Sequence, residues 1–210
     1  MKVSGPLVTL GAVATVGVAL LAVNMSKENS PTAPPAAPPA ASSTSAAATT
    51  TTSTTPTPPP PAPFPAKADY VGKINTSTGV ITLDIAVSGQ KAVAYACDGK
   101  SVETWLTGPA EAGTVTLTNK NKTSRLEGRH EGTNVSGTLT IGEKSWPFTA
   151  AAVQPPAGLY LEQAGGVRNS WIVDADKSVT GVQRAADGAT SPAPALPPNA
   201  TRVEGDSDVF

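Results

Sequence analysis

The chain has little of what catalytic and metal sites are most often built from. It contains one histidine and one cysteine in 210 residues. An intrachain disulfide needs two cysteines and a structural zinc site needs four Cys or His ligands, so the composition excludes both. The net charge of −1 also lacks the positive excess of a nucleic-acid-binding surface. The sequence therefore predicts no cofactor, no metal ion and no nucleic-acid partner.

Aromatic residues are scarce too, with three each of Trp, Tyr and Phe, whereas 19 glycines and 21 prolines are present. The prolines concentrate in residues 31–65 and 192–198. Such segments carry too few large apolar side chains to offset the entropy lost on ordering. We therefore expect residues 24–69 to be a disordered Pro/Thr/Ala-rich linker and residues 187–210 a disordered Pro-rich tail. Residues 70–186 are left to fold as one domain.

One long hydrophobic run occurs, at residues 5–23, and it contains no charged residue. A helix of about 20 apolar residues crosses the hydrocarbon core of a lipid bilayer. Residues 1–4, with Lys2, then form a short cytoplasmic end, and the rest of the chain is extracytoplasmic. Signal-peptide cleavage needs small residues at positions −3 and −1, and Leu20 before Ala22 does not fit. The pattern favours a single-pass signal anchor in the cell membrane, with secretion after cleavage as the alternative.

The linker has a composition typical of an extended spacer. Proline favours the polyproline II conformation, at about 3.1 Å per residue, so residues 24–69 can reach on the order of 100 Å. A spacer that holds a domain away from the membrane is the favoured interpretation. A PxxP ligand for SH3-like domains and an O-glycosylated stalk are the alternatives.

A hairpin is predicted near the middle of the chain. The stretch before Asp98 alternates, with Val93, Tyr95 and Cys97 on one face of a strand and three alanines on the other. Gly99 follows directly. An Asp-Gly pair between alternating runs is a strong hairpin signal, because a type I′ turn requires positive φ at both central residues.

Similar short runs recur through residues 70–186, separated by Gly, Asn and Asp. Roughly nine or ten strands at this spacing are typical of a small antiparallel barrel or sandwich. No stretch of this part shows a capped, 3.6-residue apolar period, so the sequence predicts an all-β domain. The residues expected to face its core are Ile81, Leu83, Ile85, Val93, Tyr95, Val115, Leu117, Leu126, Leu139, Ile141, Trp146, Phe148, Leu159, Leu161, Trp171 and Val173.

The single histidine, His130, lies among charged residues. An imidazole beside carboxylates can act as a general base. Strand alternation, however, places Glu127, Arg129 and Glu131 on one face and His130 on the other. We therefore expect an exposed strand histidine rather than a catalytic one.

Cys97 ends the apolar row that begins at Val93. This position favours a small buried hydrophobic residue over a reactive thiol. Carboxylates of the type that bind calcium occur at Asp98, Glu103, Asp174 and Asp176, but the EF-hand spacing is missing. The sequence therefore assigns no catalytic, cofactor-binding or metal-binding residue.

Four basic residues, Lys120, Lys122, Arg125 and Arg129, concentrate around a turn and the strand that follows it. They can contact an anionic wall polymer or a lipid headgroup, and an exposed Trp105 beside them would add a stacking surface. These five residues form the predicted binding patch. A solvated hairpin tip is the alternative.

Three stretches carry a family resemblance: residues 91–108 (KAVAYACDGKSVETWLTG), 137–148 (GTLTIGEKSWPF) and 158–161 (GLYL). With the anchor-and-linker layout, they resemble the extracytoplasmic β-domain of uncharacterised Pro/Thr/Ala-rich single-pass membrane proteins of mycobacteria and related actinobacteria. The resemblance covers about residues 70–186 and brings no catalytic residue with it. It implies a location in the envelope of a thick-walled bacterium.

The sequence favours a membrane-tethered, non-catalytic binding or interaction module at the bacterial cell envelope. A cell-wall polymer or another envelope protein is the expected partner, and the oligomeric state stays open. The first alternative is a carboxylate-dependent envelope hydrolase, which requires acids such as Glu103, Glu127 and Glu131 to converge in a cleft. The second alternative is a purely structural head on a spacer.

Overall fold

The computed structural model describes residues 60–210. These residues form thirteen strands and no helix, which confirms the all-β class. None of their elements is a helix long and apolar enough to span a bilayer. The predicted cytoplasmic end and membrane anchor, residues 1–23, lie outside the described residues, as does most of the linker predicted over residues 24–69.

The first eight strands form a closed antiparallel barrel, which decides between the predicted barrel and sandwich. Each strand pairs with the next along the chain, and the first closes on the last where Val71 lies opposite Ala151. The strands are β1 (Lys67–Thr76), β2 (Gly79–Ser88), β3 (Lys91–Cys97), β4 (Glu103–Glu111), β5 (Thr114–Thr118), β6 (Ser124–Glu131), β7 (Asn134–Ile141) and β8 (Lys144–Val153).

The other five strands form a second antiparallel sheet, in the order β12-β11-β10-β9-β13. They are β9 (Gly158–Ala164), β10 (Val167–Val173), β11 (Val179–Arg184), β12 (Thr190–Pro192) and β13 (Thr201–Arg202). The number of strands therefore exceeds the predicted nine or ten.

Residues 187–210 differ from the disordered tail that their composition predicts. They supply β12 and β13, the two edge strands of the second sheet, and they bury Val203 and Val209. Apolar residues are few in this stretch, but neighbouring strands offer backbone partners to its N–H and C=O groups. Backbone pairing with neighbouring strands thus orders residues 187–210, although this stretch has no hydrophobic core of its own.

The barrel interior is filled by side chains at alternating positions. In β6, the even-numbered positions from Ser124 to His130 are buried and the odd-numbered positions are exposed. An eight-stranded barrel has an interior just wide enough for side chains to fill. Its buried apolar cluster includes Tyr70, Ile74, Ile81, Leu83, Ile85, Leu106, Val115, Leu117, Leu126, Val135, Leu139 and Phe148.

Two inward-facing glycines allow neighbouring strands to approach closely. A Cβ atom at Gly137 would lie 1.9 Å from the carbonyl oxygen of Glu127, and one at Gly108 would lie 2.3 Å from that of Thr116. Glycine inside a strand often marks such a bend or close backbone contact. These positions let the sheet coil tightly enough to close.

The second sheet packs against the outer side of the barrel. The predicted alternation in β3 is correct: Val93, Tyr95 and Cys97 face the second sheet, and the alanines between them face the barrel interior. From the second sheet, Leu159 and Ile172 belong to the same apolar cluster. Most of the predicted core therefore divides into two layers, one inside the barrel and one between the barrel and the sheet. Trp171 belongs to neither layer: it is buried on the other face of β10, where its Nε1 donates to the carbonyl oxygen of Pro194 at 2.8 Å.

The hairpin predicted at Asp98-Gly99 joins β3 to β4, but its turn is not type I′. Five residues, 98–102, separate the strands, and the N–H of Asp98 donates to the carbonyl of Val102 at 3.1 Å. Gly99 has a φ of 71°, whereas Asp98 is not among the residues of positive φ. The side chain of Asp98 instead organises a longer loop, as described below.

Candidate functional site

One end of the barrel is covered by the residues that precede β1. His130 points into this end and is 6% exposed, so the expectation of an exposed histidine is wrong. Its Nδ1 donates to the carbonyl oxygen of Ala62 at 3.0 Å. The ring of Phe64 stacks on the imidazole, with centroids 5.0 Å apart, and Tyr70 meets it edge-on. His130 is thus a packed interior residue, because its strand face is the inner one.

The opposite end of the barrel holds a cavity of about 400 Å³, which we call the mouth. It lies among the β1–β2, β3–β4 and β7–β8 connections. Its apolar lining residues are Val80, Ile81, Val102, Ile141 and Trp146. Val80 and Val102 are 44% and 41% exposed, whereas Ile141 and Trp146 are partly buried against the barrel core.

Polar side chains surround this apolar surface. Asp98, Glu143 and Lys144 line the mouth together with two threonines. The Asp98 carboxylate accepts backbone N–H bonds from Lys100, Ser101 and Val102 at 2.8–2.9 Å. Partial burial acts to raise the pKa of Asp98, but these hydrogen bonds outweigh it and hold the pKa below its ordinary value. Asp98 therefore stays ionised and shapes the loop that carries Val102.

Three larger hollows are more open to solvent than the mouth. One, of about 610 Å³, is lined partly by residues 205–210, and another, of about 540 Å³, lies beside His130 at the other end of the barrel. The third, of about 500 Å³, is bordered mainly by glycine and alanine of the β9–β10 and β11–β12 connections. The mouth is smaller, but large apolar side chains line it, as is usual for ligand sites.

The four basic residues of the predicted patch are spread over the β5–β6 turn and the length of β6. Lys120 and Lys122 are exposed on the β5–β6 turn, at the same end of the barrel as the mouth. Arg125 is exposed at the start of β6 and contacts Glu127 at 2.5 Å. Arg129 is exposed toward the opposite end, about 13 Å further along the strand at roughly 3.3 Å per residue.

Trp105 does not lie beside these residues on the surface. It is 3% exposed, so the expectation of an exposed stacking surface is wrong. Its ring packs on Tyr95 with centroids 4.6 Å apart, and the guanidinium of Arg168 lies 5.4 Å from the ring centroid. The second sheet covers this side of β4, which the alternation of β4 alone does not show.

The three glutamates considered for a hydrolase do not converge. The Glu103 side chain is 1% exposed, and it accepts hydrogen bonds from Tyr95 at 2.9 Å and from Arg184 at 2.5 Å. Glu127 and Glu131 project from β6 into solvent. Glu103 is thus held in an ion pair under the second sheet. Glu127 pairs with Arg125, and Glu131 borders a separate hollow beside His130, so the three acids face three different surroundings.

Sequence patterns missed two neighbouring acids between the barrel and the second sheet, of which Asp84 is buried and Asp69 is partly buried. Asp84 is 0% exposed, and neither of its carboxylate oxygens has a hydrogen-bond partner within residues 60–210. Burial, reinforced by the nearby charge of Asp69, raises the pKa of Asp84 well above its ordinary value. Asp69 accepts a hydrogen bond from Arg202 at 2.9 Å. An aspartate at an alternating strand position normally indicates a solvent-facing side, so no sequence signal marks Asp84.

Cys97 is buried, as predicted, at 0% exposure. Burial raises the pKa of its thiol to about 12. Since the thiolate is the nucleophilic form, the thiol is inert while the second sheet is in place.

The acids considered for calcium have other partners. Lys73 contacts Asp174 at 2.8 Å and Asp176 at 3.9 Å, and Asp98 is engaged by its own loop. Across the described part of the chain, no three His, Cys, Asp or Glu side chains are grouped as metal ligands.

No protein family, curated protein or solved structure matches this chain with significant similarity. The class of protein is therefore defined by its own geometry, as an eight-stranded antiparallel barrel with a five-stranded sheet on one side. Within the described residues, the mouth is an apolar cavity at one end of this barrel.

Proposed function

We propose that this protein is a non-catalytic binding module whose ligand site is the mouth of the barrel. The observation that carries the proposal is the apolar cavity of about 400 Å³ between Val80, Val102 and Trp146. Ligand sites in proteins are typically concave, mostly apolar and about 300–1,000 Å³ in volume, with a few polar groups. Small eight-stranded barrels can hold one ligand of modest size.

The ligand class follows from the lining of the mouth. Covering apolar surface gains about 25 cal/mol per Å², so an acyl chain or a ring that covers the two exposed valines is favoured. Lys144 at the rim, with Lys120 and Lys122 on the neighbouring turn, can contact an anionic group of the same molecule. We therefore propose a small amphiphile, or the apolar part of a larger envelope component.

The cellular setting is part of the same proposal. A membrane anchor at residues 5–23 and a Pro/Thr/Ala-rich spacer would hold the barrel outside the membrane, within reach of a wall polymer or another envelope protein. The resemblance to actinobacterial envelope proteins agrees with this setting. An exposed apolar site on a tethered domain suits capture of a component displayed at the envelope.

The alternative of a carboxylate-dependent hydrolase is less well supported. Such an enzyme needs two acids facing one cleft, with pKa values adjusted to donate and accept a proton. Glu103 is buried in an ion pair, and Glu127 and Glu131 face solvent. At the mouth, Asp98 is engaged by three backbone N–H groups, which leaves Glu143 as the one acid free to approach a ligand.

The three tryptophans allow a direct test of the mouth. Full-length protein labelled with 5-fluorotryptophan and held in phosphatidylcholine nanodiscs has three ¹⁹F signals, which Trp→Phe variants assign. We expect octanoate to shift the Trp146 signal in a saturable manner. Trp105 and Trp171, which are 3% and 1% exposed, are expected to stay unchanged. n-Octanol, which has the same chain length, tests whether the anionic group contributes.

Two valine variants supply the matched comparison. Val102→Asp places a charge in the mouth and is expected to weaken octanoate binding at least tenfold. Val179→Asp makes the same change at a residue of β11 that is 48% exposed and does not line the mouth, so binding is expected to stay within twofold. No saturable Trp146 shift, or equal loss in both variants, would reject the mouth as the ligand site and favour the structural head.

A further inference from the structure

Six buried polar atoms without a hydrogen-bond partner in residues 60–210 share one location. They belong to Asp69, Asp84, Trp105, Arg168 and Ser170, and all five residues lie where the second sheet meets the barrel. Buried polar groups in proteins are nearly always hydrogen-bonded, so this concentration requires an explanation. Asp84 contributes two of the six atoms.

Asp84 lies at the centre of this interface. It is on the outer face of β2, directly opposite Val71 of β1 and Tyr95 of β3 in the strand register. Above it lie β9 and β10, whose residues Leu159 and Ile172 pack on the same cluster. An ionised carboxylate without hydrogen bonds in such a place is strongly unfavourable, whereas the protonated acid is tolerated.

The charged and titratable groups around Asp84 are limited. β1 contributes Asp69 and Lys73, and Lys73 is paired with Asp174. β3 contributes the phenol of Tyr95, and β13 contributes Arg202, which is bound to Asp69.

The groups on β10 complete the surroundings. Arg168 lies against Trp105 and Glu103, and Ser170 is not titratable at ordinary pH. Arg202 is close enough for its charge to act on Asp84, but it is already bound to Asp69. Among residues 60–210, no cation forms an ion pair with Asp84.

We propose that docking of the second sheet on the barrel is coupled to protonation of Asp84, so that acid strengthens docking and alkali loosens it. In the docked state the carboxyl is buried, and burial raises its pKa well above the ordinary value of about 3.9. In the separated state water solvates the carboxylate and the ordinary pKa returns. Docking therefore binds a proton.

The sign of the pH dependence follows from this difference. Below the ordinary pKa both states are protonated and the contribution of Asp84 to docking is complete. As pH rises toward the pKa of the docked state, the separated state is favoured by up to tenfold per pH unit. Loosening exposes Cys97, Trp105 and the apolar inner face of the second sheet.

Cys97 is the only cysteine of the chain, and its burial under the second sheet makes it a reporter of separation. We would measure its rate of labelling by methyl methanethiosulfonate in the full-length protein from pH 5 to pH 9. The same rates in Asp84→Asn cancel the pH dependence of the reagent chemistry. The ratio of the wild-type rate to the variant rate is expected to rise at least tenfold between pH 5 and pH 8.

Two further measurements test the proposal if Asp84→Asn does not fold. Asp84→Leu, an apolar replacement, is expected to behave as Asp84→Asn does. In wild-type protein labelled with [4-¹³C]aspartate, one carboxyl signal is expected to keep the chemical shift of the protonated acid above pH 6. A labelling ratio constant within twofold, or the absence of such a signal, would overturn the proposal. Neither measurement involves the mouth. A negative result here would therefore leave the proposed binding function unaffected, and failure of octanoate binding would leave this proposal unaffected.

Discussion

Asp98 and Asp84 carry the same side chain, but their surroundings shift its pKa in opposite directions. The carboxylate of Asp98 accepts three backbone N–H bonds at the rim of the mouth, and its pKa lies below the ordinary value. The carboxyl of Asp84 accepts none within the described residues, and burial raises its pKa. The first is held ionised and shapes a loop, whereas the second is held neutral and responds to pH.

Replacing Asp98 by alanine tests the first role. We expect Asp98→Ala to lower the free energy of unfolding by about 1 kcal/mol at pH 7, because three N–H groups lose a charged acceptor that is itself largely solvated. A carboxylate of lowered pKa stabilises the fold above the unfolded-state pKa, about 3.9, and loses this effect as pH falls below it. The difference between wild type and variant in urea unfolding should therefore shrink below pH 4.

Lys100→Ala, an exposed change in the same loop, is the control for this prediction. It should alter stability by less than about 0.5 kcal/mol. A destabilisation by Asp98→Ala that is as large at pH 2.5 as at pH 7 would contradict the assigned role.

At the scale of the strand, the place of a strand in the barrel determines whether one or both of its faces are buried. β6 is exposed on one side only, so its burial alternates strictly. β2 and β3 are buried on both sides, because the barrel interior lies against one face and the second sheet against the other. β7 adds a different constraint, since Gly137 faces inward opposite Gly128 and beside Phe148.

Gly137→Ala tests the close approach of β6 and β7. A Cβ atom 1.9 Å from the Glu127 carbonyl oxygen forces the two backbones apart. We expect a loss of at least about 2 kcal/mol in the free energy of unfolding, in the range of overpacked cores. Thr138→Ala, at the next and exposed position, should change it by less than about 0.5 kcal/mol. Equal effects of the two changes would show that the barrel accommodates a side chain at Gly137.

At the scale of the whole molecule, the barrel and the second sheet are joined by an apolar layer with polar contacts around it. Arg202 binds Asp69, Lys73 binds Asp174, and Thr190 donates to the carbonyl of Ser101 at 2.8 Å. Residues 187–210 contribute to this layer through Val203 and Val209. The last part of the chain therefore closes the interface that buries Cys97.

A chain ending at residue 186 tests this arrangement. It loses β12, β13 and two buried valines, each of which contributes about 2 kcal/mol by burial. We expect Cys97 to be labelled at least tenfold faster than in the full-length protein at pH 7. Phe210→Ala, at a residue that is 51% exposed, should leave the rate within twofold. Unchanged labelling in the shortened chain would mean that the tail does not hold the second sheet in place.

The sequence alone predicts those features that depend on local pattern. Period-two alternation indicated an all-β fold, and it placed Val93, Tyr95 and Cys97 on one face of a strand and the alanines on the other. It also placed His130 opposite Glu127 and Glu131 on β6. These predictions hold because the pleat of a strand determines the direction of each side chain regardless of its neighbours.

Only the tertiary structure determined which of these strand faces are exposed to solvent. Closure of the barrel turned the face of His130 inward, and docking of the second sheet buried Trp105 and Asp84. Residues 187–210 gained strands because pairing with an existing sheet satisfied their backbone. The mouth likewise exists only where turns distant in sequence meet at one end of a closed barrel. Alternation is local, but burial depends on contacts between residues that are far apart in the chain.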